Sequence, residues 1–387
     1  MKYKLKDIFD LQMGKTPSRN NIEYWNTKDF KWISISDLTK AHGYISETKE
    51  YISERAVSES GIKIIPANTV VMSFKLSIGK TAITSEDMYS NEAIMAFHDK
   101  HVVEILPEYI FYIFKYKKWD EDSNNAVMGK TLNKAILSEA EIEICSIEEQ
   151  RVIVDILDNM MSVLESRGTE LDLLDNLIKA RFVEMFGDPV ANDKRWDTLS
   201  LENACKTIID CPHSTPSYTY ENTGFMCIRT SIVKKNRILW DDIEYIPEDE
   251  FEKRIQRKQP TVGDIVYTRE GAILGIAAII DRNYNVALGQ RSMLLSPDTD
   301  KCASEFLCVA MNSDSFLDNV LKDVSGSASP HINVGDIKAF KMIMPPVELQ
   351  NQFAAFIHQV DKSKVVVQKA LDEAQILFDS LMQKYFG

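Results

Sequence analysis

The stretch Ser146-Ile147-Glu148-Glu149-Gln150, closed after a long amphipathic run by Phe186-Gly187, returns 200 residues later as Pro346-Val347-Glu348-Leu349-Gln350 and Phe386-Gly387. Between those markers the apolar residues of the first copy are Ile153, Leu157, Met160, Leu164, Leu171, Leu174, Ile178 and Met185. Their spacings of three, four and seven describe the seam of a helix that packs along another helix. The second copy has Phe353, Ile357, Val360, Lys364, Leu371, Ala374, Phe378 and Tyr385, with Val367 and Leu381 filling the gaps left by Arg167 and Arg181. Lys364 is the one charge on this second seam. The sequence therefore predicts two helices of equal length, 148–187 and 347–387, each closing a globular segment of similar size, 1–147 and 188–346. A helix over 148–185 would span roughly 57 Å, and Gly168 is expected to soften its middle.

Chain connectivity decides how the two helices pair. The second globular segment starts where the first helix ends and stops where the second begins. A body of that size has a radius of gyration of roughly 15 Å. Parallel helices would force it to bridge a whole helix length between its own termini, whereas antiparallel helices place those termini side by side. The expected fold class is thus α+β: two α/β units separated by an antiparallel coiled coil of two long helices, with a pseudo-two-fold internal repeat. Within the bodies, Asn68-Thr69-Val70-Val71-Met72-Ser73 and Gly263-Asp264-Ile265-Val266-Tyr267-Thr268 predict strands. Residues 107–118 and 304–322 have helical periodicity. Thr16-Pro17-Ser18 recurs as Thr215-Pro216-Ser217, and Gly79-x-x-Ala82 recurs as Gly275-x-x-Ala278. The offset drifts through the bodies and returns to 200 at the tails, so loops varied while helix length was held.

At 387 residues with 44% apolar side chains, the chain has material for two packed cores. Neither a signal peptide nor a membrane-length apolar run is visible, which predicts a soluble, cytoplasmic protein with no membrane partner. The net charge is −13. Residues 148–187 alone carry 4 basic and 9 acidic side chains, so the first helix is a poor surface for phosphates. Any nucleic-acid face has to be a local patch on the globular bodies. The cysteines Cys145, Cys205, Cys211, Cys227, Cys302 and Cys308 show no paired spacing. Cys205, Cys211, His213 and Cys227 lack the C-x-x-C pair that would anchor zinc, and no metal site is expected.

Catalytic motifs fail one by one. Gly14-Lys15-Thr16, Gly79-Lys80-Thr81 and Gly129-Lys130-Thr131 have Phe9, Phe74 and Asn124 where a phosphate-wrapping loop needs glycine. No dinucleotide fingerprint, methyltransferase signature or nucleophile elbow occurs. The pattern predicts a chain without catalytic residues or a cofactor of its own, one that binds and positions. Basic and polar residues supply candidates. Tyr112, Lys115, Tyr116, Lys117, Lys118 and Trp119 form a basic-aromatic run, with the two tyrosines expected in the core. Hairpin-like loops carry Ser73, Lys75, Ser77 and Lys80 in one unit, and Thr268 and Arg269 in the other. With Lys15, Thr16, Ser18 and Lys130, and with Arg229, Lys234, Lys235, Ser329 and His331, these are the expected DNA-contacting residues. Arg269→Ala is expected to weaken DNA binding and leave assembly intact. Met185→Asp or Tyr385→Asp is expected to cost assembly more than sequence choice.

Gly14-Lys15-Thr16-Pro17-Ser18 is followed by Trp32-Ile33-Ser34-Ile35-Ser36-Asp37-Leu38. Pro345-Pro346-Val347-Glu348-Leu349-Gln350 opens the last helix, and the whole layout is duplicated. This combination, which covers nearly the full chain, resembles the specificity subunit of type I restriction–modification systems. The resemblance implies two target-recognition domains, each reading one half of a bipartite, asymmetric site in double-stranded DNA. It also implies two helices that dock two methyltransferase subunits, to which a restriction subunit can join. S-adenosylmethionine would then belong to the methyltransferase partner. Half-site separation would lie near one helical turn of DNA, on the order of 34 Å. Ile144-Cys145-Ser146 departs from the proline pair before the first helix, Leu349 replaces a second glutamate, and Pro212-His213-Ser214 departs from the Gly-Lys form. A two-headed coiled-coil adaptor that bridges proteins without touching DNA is the alternative, favoured by the acidic charge.

Overall fold

The computed structural model describes residues 1–41, 43–75, 77–119, 132–322 and 330–387, so Lys130 and Ser329 lie outside the described residues. The two seams form helices Ile147–Phe186 and Val347–Phe386, each of 40 residues. The first starts with a reciprocal cap: the Ser146 hydroxyl accepts the Glu149 N–H at 3.3 Å, and the Glu149 carboxylate accepts the Ser146 N–H at 3.1 Å. In the second, Pro346 occupies that place, its ring presetting the backbone, and its carbonyl accepts the Gln350 N–H at 3.2 Å. The two sequence departures at 146 and 349 are therefore one exchange of capping chemistry. The first helix runs unbroken through Gly168, because a helical ladder closed on both sides carries a single glycine at modest cost.

The chain divides into two compact units, one of residues 1–167 with 370–387 and one of residues 168–369. In the first, Ile153 shares a cavity wall with Tyr385 and Phe386, while Tyr112 packs on Phe378 and donates to Asp158 at 2.6 Å. In the second, Phe182 and Phe186 pack on Phe353, Arg181 lies over Phe356, and Lys364 pairs with Asp175 at 2.5 Å. Inside each unit, numbers rise along one helix segment as they fall along the other, so the pairing is antiparallel. Lys364, the charge on the apolar seam, sits there because Asp175 faces it.

Each body repeats one strand arrangement. In the first unit the order is Phe9–Met13, Ile94–Asp99, Val70–Ser73, Thr81–Thr84 and Tyr44–Ile45. In the second it is Cys205–Asp210, Ser292–Pro297, Ile265–Thr268 and Ala277–Ile279. Val70–Ser73 and Ile265–Thr268 are buried at every residue, which is why they read as continuous apolar runs and not as alternating ones. A three-stranded sheet accompanies each: Glu50–Ile52, Phe30–Ile33 and Tyr89–Ser90, or Glu244–Tyr245, Met226–Ile228 and Val286–Leu288. In both, the central strand pairs antiparallel on one side and parallel on the other. A short antiparallel pair, Lys2–Lys4 with Glu141–Glu143 or Thr198–Ser200 with Lys341–Ile343, ties the beginning of each body to its end just before the long helix.

The helical periodicity at 107–118 resolves as Pro107–Tyr116. That at 304–322 does not form one helix. It breaks into Ser304–Met311 and Asp314–Leu321, because the Ser313 side chain accepts the Phe316 N–H and caps a second start. Gln150 and Gln350, both wholly buried, lock these helices to the long ones. Gln150 accepts the Leu106 N–H at 2.9 Å and donates to the carbonyls of Glu104 and Cys145. Gln350 accepts the Ala303 N–H at 2.9 Å and donates to the carbonyls of Lys301 and Pro345. A buried amide is tolerated where its donors and acceptor are met, and here the same three bonds are made twice.

Candidate nucleic-acid interface

In the first unit the Thr-Pro-Ser motif lies on an exposed loop fixed at its backbone. The N–H groups of Gly14 and Lys15 donate to the carbonyls of Ile94 and Ser90 at 3.0 and 2.8 Å. Glycine is needed at 14, since a Cβ there would stand 2.1 Å from the Asn91 carbonyl oxygen. The Trp32 indole donates to the Lys15 carbonyl and the Trp25 indole to the Ser18 carbonyl, both at 3.1 Å. Pro17 is buried, and the Arg19 guanidinium lies 3.8 Å from the centre of the Trp25 ring while pairing with Glu50. The Thr16 hydroxyl donates to Glu92 on the facing turn. That bond, with the charges of Lys75 and Arg19 nearby, holds the Glu92 carboxyl below the ordinary carboxylate range.

The second unit builds the same loop from other side chains. Its Thr215 hydroxyl donates to Gln290 at 3.1 Å, and Pro216 is buried as Pro17 is. The Ser214 carbonyl is held at 2.8 Å by Arg254, which also donates to Glu250 and to the Leu288 carbonyl. Beneath it, Asp210 accepts Arg269 at 2.9 Å, and the His213 ring nitrogen Nε2 lies 3.0 Å from the Asp210 carboxylate. A cavity of 240 Å³ opens beside this loop, lined by Asp210, Cys211, Lys253, Arg254, Arg257 and Lys258. It brings three cationic side chains, Lys253, Arg257 and Lys258, to the edge of the loop, a composition suited to a phosphate-facing surface, while Arg254 is buried against Glu250.

The sequence-selected residues separate into three groups. Thr16 and Lys75 lie at Glu92, Ser18 is exposed on the same loop and the Lys15 ammonium donates to the Ser60 carbonyl, while Arg269 lies beside His331, whose neighbour Ile332 donates to the Arg269 carbonyl at 2.9 Å. Ser73, Thr268 and Arg269 require correction as contact residues. The hydroxyls of Ser73 and Thr268 are wholly buried and accept the N–H groups of Lys80 and Ile276 across their hairpin turns, at 3.1 and 2.9 Å. They fold the loop and cannot face a ligand. Arg269 is buried against Asp210, a pairing that desolvation demands of an interior guanidinium.

Ser77 is exposed but lends its carbonyl to Ser73, and Lys80 reaches Thr39. Lys234 and Lys235 lie on a separate hairpin, where Lys235 pairs with Asp314 at 2.8 Å, and Arg229 pairs with Glu244 at 2.8 Å. The basic-aromatic run belongs to the first core: Tyr112 and Trp119 are buried, and Lys115 lies over Phe111 and Phe378. On the long helices, Leu157, Ile178, Phe353, Ile357, Val360 and Phe378 are buried, and Ile153, Met160, Leu164, Leu171, Leu174, Met185 and Tyr385 are half-buried.

Sequence reasoning missed Glu92 and Gln290; Arg254 stands out in the sequence only as one of the basic run Lys253, Arg254, Arg257 and Lys258. Glu92 and Gln290 close related segments, Ser90-Asn91-Glu92 and Leu288-Gly289-Gln290, that share too few letters to be matched without the sheets. Among the described residues no group of three His, Cys, Asp or Glu side chains could hold a metal ion, and no helix is long and apolar enough to cross a membrane. Burial pushes the Cys205 and Cys227 thiols up to about 12, leaving neither a nucleophile near neutral pH.

Comparison with known proteins gives a consistent result. A family model described as the type I restriction modification DNA specificity domain matches residues 1–174 and 195–374. The chain is 24% identical over 400 residues to the specificity subunit of the type I restriction enzyme MjaIX of Methanocaldococcus jannaschii, spanning 98% of this chain and 91% of that one. The solved S subunit of a type I restriction-modification system from M. genitalium aligns over 100% of this chain and 96% of its own, with 14% identity and a TM-score of 0.54. A chain solved in a study of assembly and conformational transition of the type I R-M system aligns over 100% and 97%, with 17% identity and a TM-score of 0.56. These two structural likenesses show the fold.

Proposed function

The chain belongs to the family of type I restriction modification DNA specificity domains, and we propose that each of its two units reads one half of a bipartite site in double-stranded DNA. Its role is that of the specificity subunit, the component that recognises DNA sequence. The observation that carries this reading is the family match across both halves of the chain, over bodies that each present a rigidly braced, exposed Thr-Pro-Ser loop. Loops braced by backbone bonds lose little freedom on binding, which favours selective contact. The two loops carry different side chains, so the half-sites differ.

With a net charge of −13, attraction to DNA has to be local. Lys15, Arg19 and Lys75 in the first unit, and Lys253, Arg257 and Lys258 in the second, are cations on or beside the loops. Methylation and cleavage fall to partner subunits, and S-adenosylmethionine to the methyltransferase partner. Two methyltransferase subunits dock on the long helices, where Leu173 and Leu177 of the second unit and Ile376 and Leu377 of the first remain exposed. A restriction subunit can join this assembly.

The test is binding of the chain, assembled with its methyltransferase, to DNA over a range of salt. Affinity should fall steeply and linearly on a logarithmic scale as phosphate contacts release counterions. Mapping methylated adenines in the source genome should return one split, asymmetric motif that vanishes on deletion of this gene. Salt-independent binding, or an unchanged methylation map, would refute the reading.

A further inference from the structure

The two units place one residue at the same structural point with different chemistry. In the first, the N–H of Asn91 donates to the carbonyl of Ile33, the end of the central strand Phe30–Ile33, at 3.1 Å. In the second, the N–H of Gly289 donates to the carbonyl of Ile228, the end of Met226–Ile228, at 2.9 Å. The strands Ile94–Asp99 and Ser292–Pro297 begin just beyond. Their first carbonyls, of Ile94 and Ser292, accept the N–H groups of Gly14 and Cys211 below each loop. Between these fixed points stand Glu92 and Gln290, and each takes the hydroxyl of the matching Thr-Pro-Ser threonine. Identical bracing of an acid in one copy and an amide in the other is the juxtaposition that matters.

A carboxylate at the tip of a DNA-facing loop gains nothing from phosphate, which repels it. It is worth holding there only for a donor on a base edge, or as a brace for the loop. Thr16 occupies one oxygen, Oε2, and the Glu92 side chain is exposed at the tip of the turn. The nearby charges of Lys75 and Arg19 offset repulsion from the backbone phosphates. Gln290 keeps its amino group and one lone pair of Oε1 beyond the Thr215 bond, so it can both donate and accept. Arg291, next to it, is held at φ 72°, a left-handed conformation that a long side chain rarely adopts and that marks a constrained turn.

Resting on the reading of the chain as a DNA-specificity subunit, we propose that Glu92 and Gln290 are equivalent base-reading side chains of the two units. Glu92 accepts from the amino group of a cytosine, and Gln290 pairs with the N6/N7 edge of an adenine. The difference between the half-sites is then written partly in one acid-to-amide exchange.

The experiment is selection from DNA in which both half-sites are randomised, using the chain assembled with its methyltransferase. Glu92→Gln should move the preference at one base pair of one half-site from C·G to A·T by about tenfold. Gln290→Glu should make the reverse change in the other half-site only. Glu92→Ala and Gln290→Ala should erase the preference at those same positions. If the unaltered complex selects a motif and the variants keep it, at full or uniformly lowered affinity, the two residues merely brace their loops and the proposal is wrong. If the unaltered complex selects no sequence at all, the DNA-recognition reading falls, and this proposal with it.

Discussion

In the first unit the carbonyl before Thr-Pro-Ser, that of Lys15, is held by an indole N–H; in the second the matching carbonyl of Ser214 is held by a guanidinium. Trp32 packs with Tyr89, Ile52 and Ile62 in an apolar cluster and needs no counter-charge. Arg254 is buried to the same degree and therefore requires Glu250 beside it. Duplication kept the acceptor, a backbone group whose place is set by the sheet, and let the donor change. The bracing glutamines behave differently. Gln150 and Gln350 are the same residue making the same three bonds, because they join two backbone segments whose geometry did not change. Divergence was tolerated at the loop and refused at the join between body and helix.

Arg254→Met should have the largest effect on this contrast. It strands Glu250 and the Leu288 carbonyl in the interior and releases the Ser214 carbonyl, and should destabilise the second unit by about 4 kcal/mol in denaturant unfolding. Gln150→Leu and Gln350→Leu should each cost about 3 kcal/mol, since each leaves a helix-capping N–H and two carbonyls unmet. Markedly unequal losses would show that the two joins are not equivalent. Trp32→Phe removes one neutral hydrogen bond and a little apolar area, so about 1 kcal/mol is expected, well below the arginine variant. Asp175→Asn, at a partly exposed pair with Lys364, should cost under about 1 kcal/mol, and less at high salt.

The smallest effect is a titration. The Glu92 carboxyl lies below its ordinary range because the Thr16 hydroxyl stabilises its charged form. A depressed carboxyl contributes stability above its unfolded pKa and loses it as pH falls through the folded value. The first unit should therefore show an acid-side loss at this site that Gln290 cannot produce in the second. Thr16→Val should return the carboxyl toward its usual range, as read by NMR titration of Glu92.

Much of this molecule is legible in one dimension. Leu157, Ile178, Phe353 and Phe378 identify the long helices because a 3.6-residue period survives any drift in the bodies. Ser304–Met311 and Asp314–Leu321 were harder to separate, since a capping serine inside a periodic run reads as an ordinary polar position. At the candidate interface, Lys15, Thr16 and Ser18 could be picked out from the repeated motif, but Ser73, Thr268 and Arg269 could not be sorted from true surface residues. A hydroxyl or guanidinium has the same letter whether it meets solvent or a buried partner.

The sequence by itself determined that the chain is doubled, that each copy ends in a helix of fixed length, and that connectivity demands antiparallel pairing. Periodicity and repeat spacing are properties of order along the chain. Only the tertiary structure decided which polar residues brace a loop and which stand free on it. Glu92 lies 76 residues from Thr16 and Arg254 lies 40 from Ser214. Hydrogen bonds across such distances exist only once the sheets have brought their turns together.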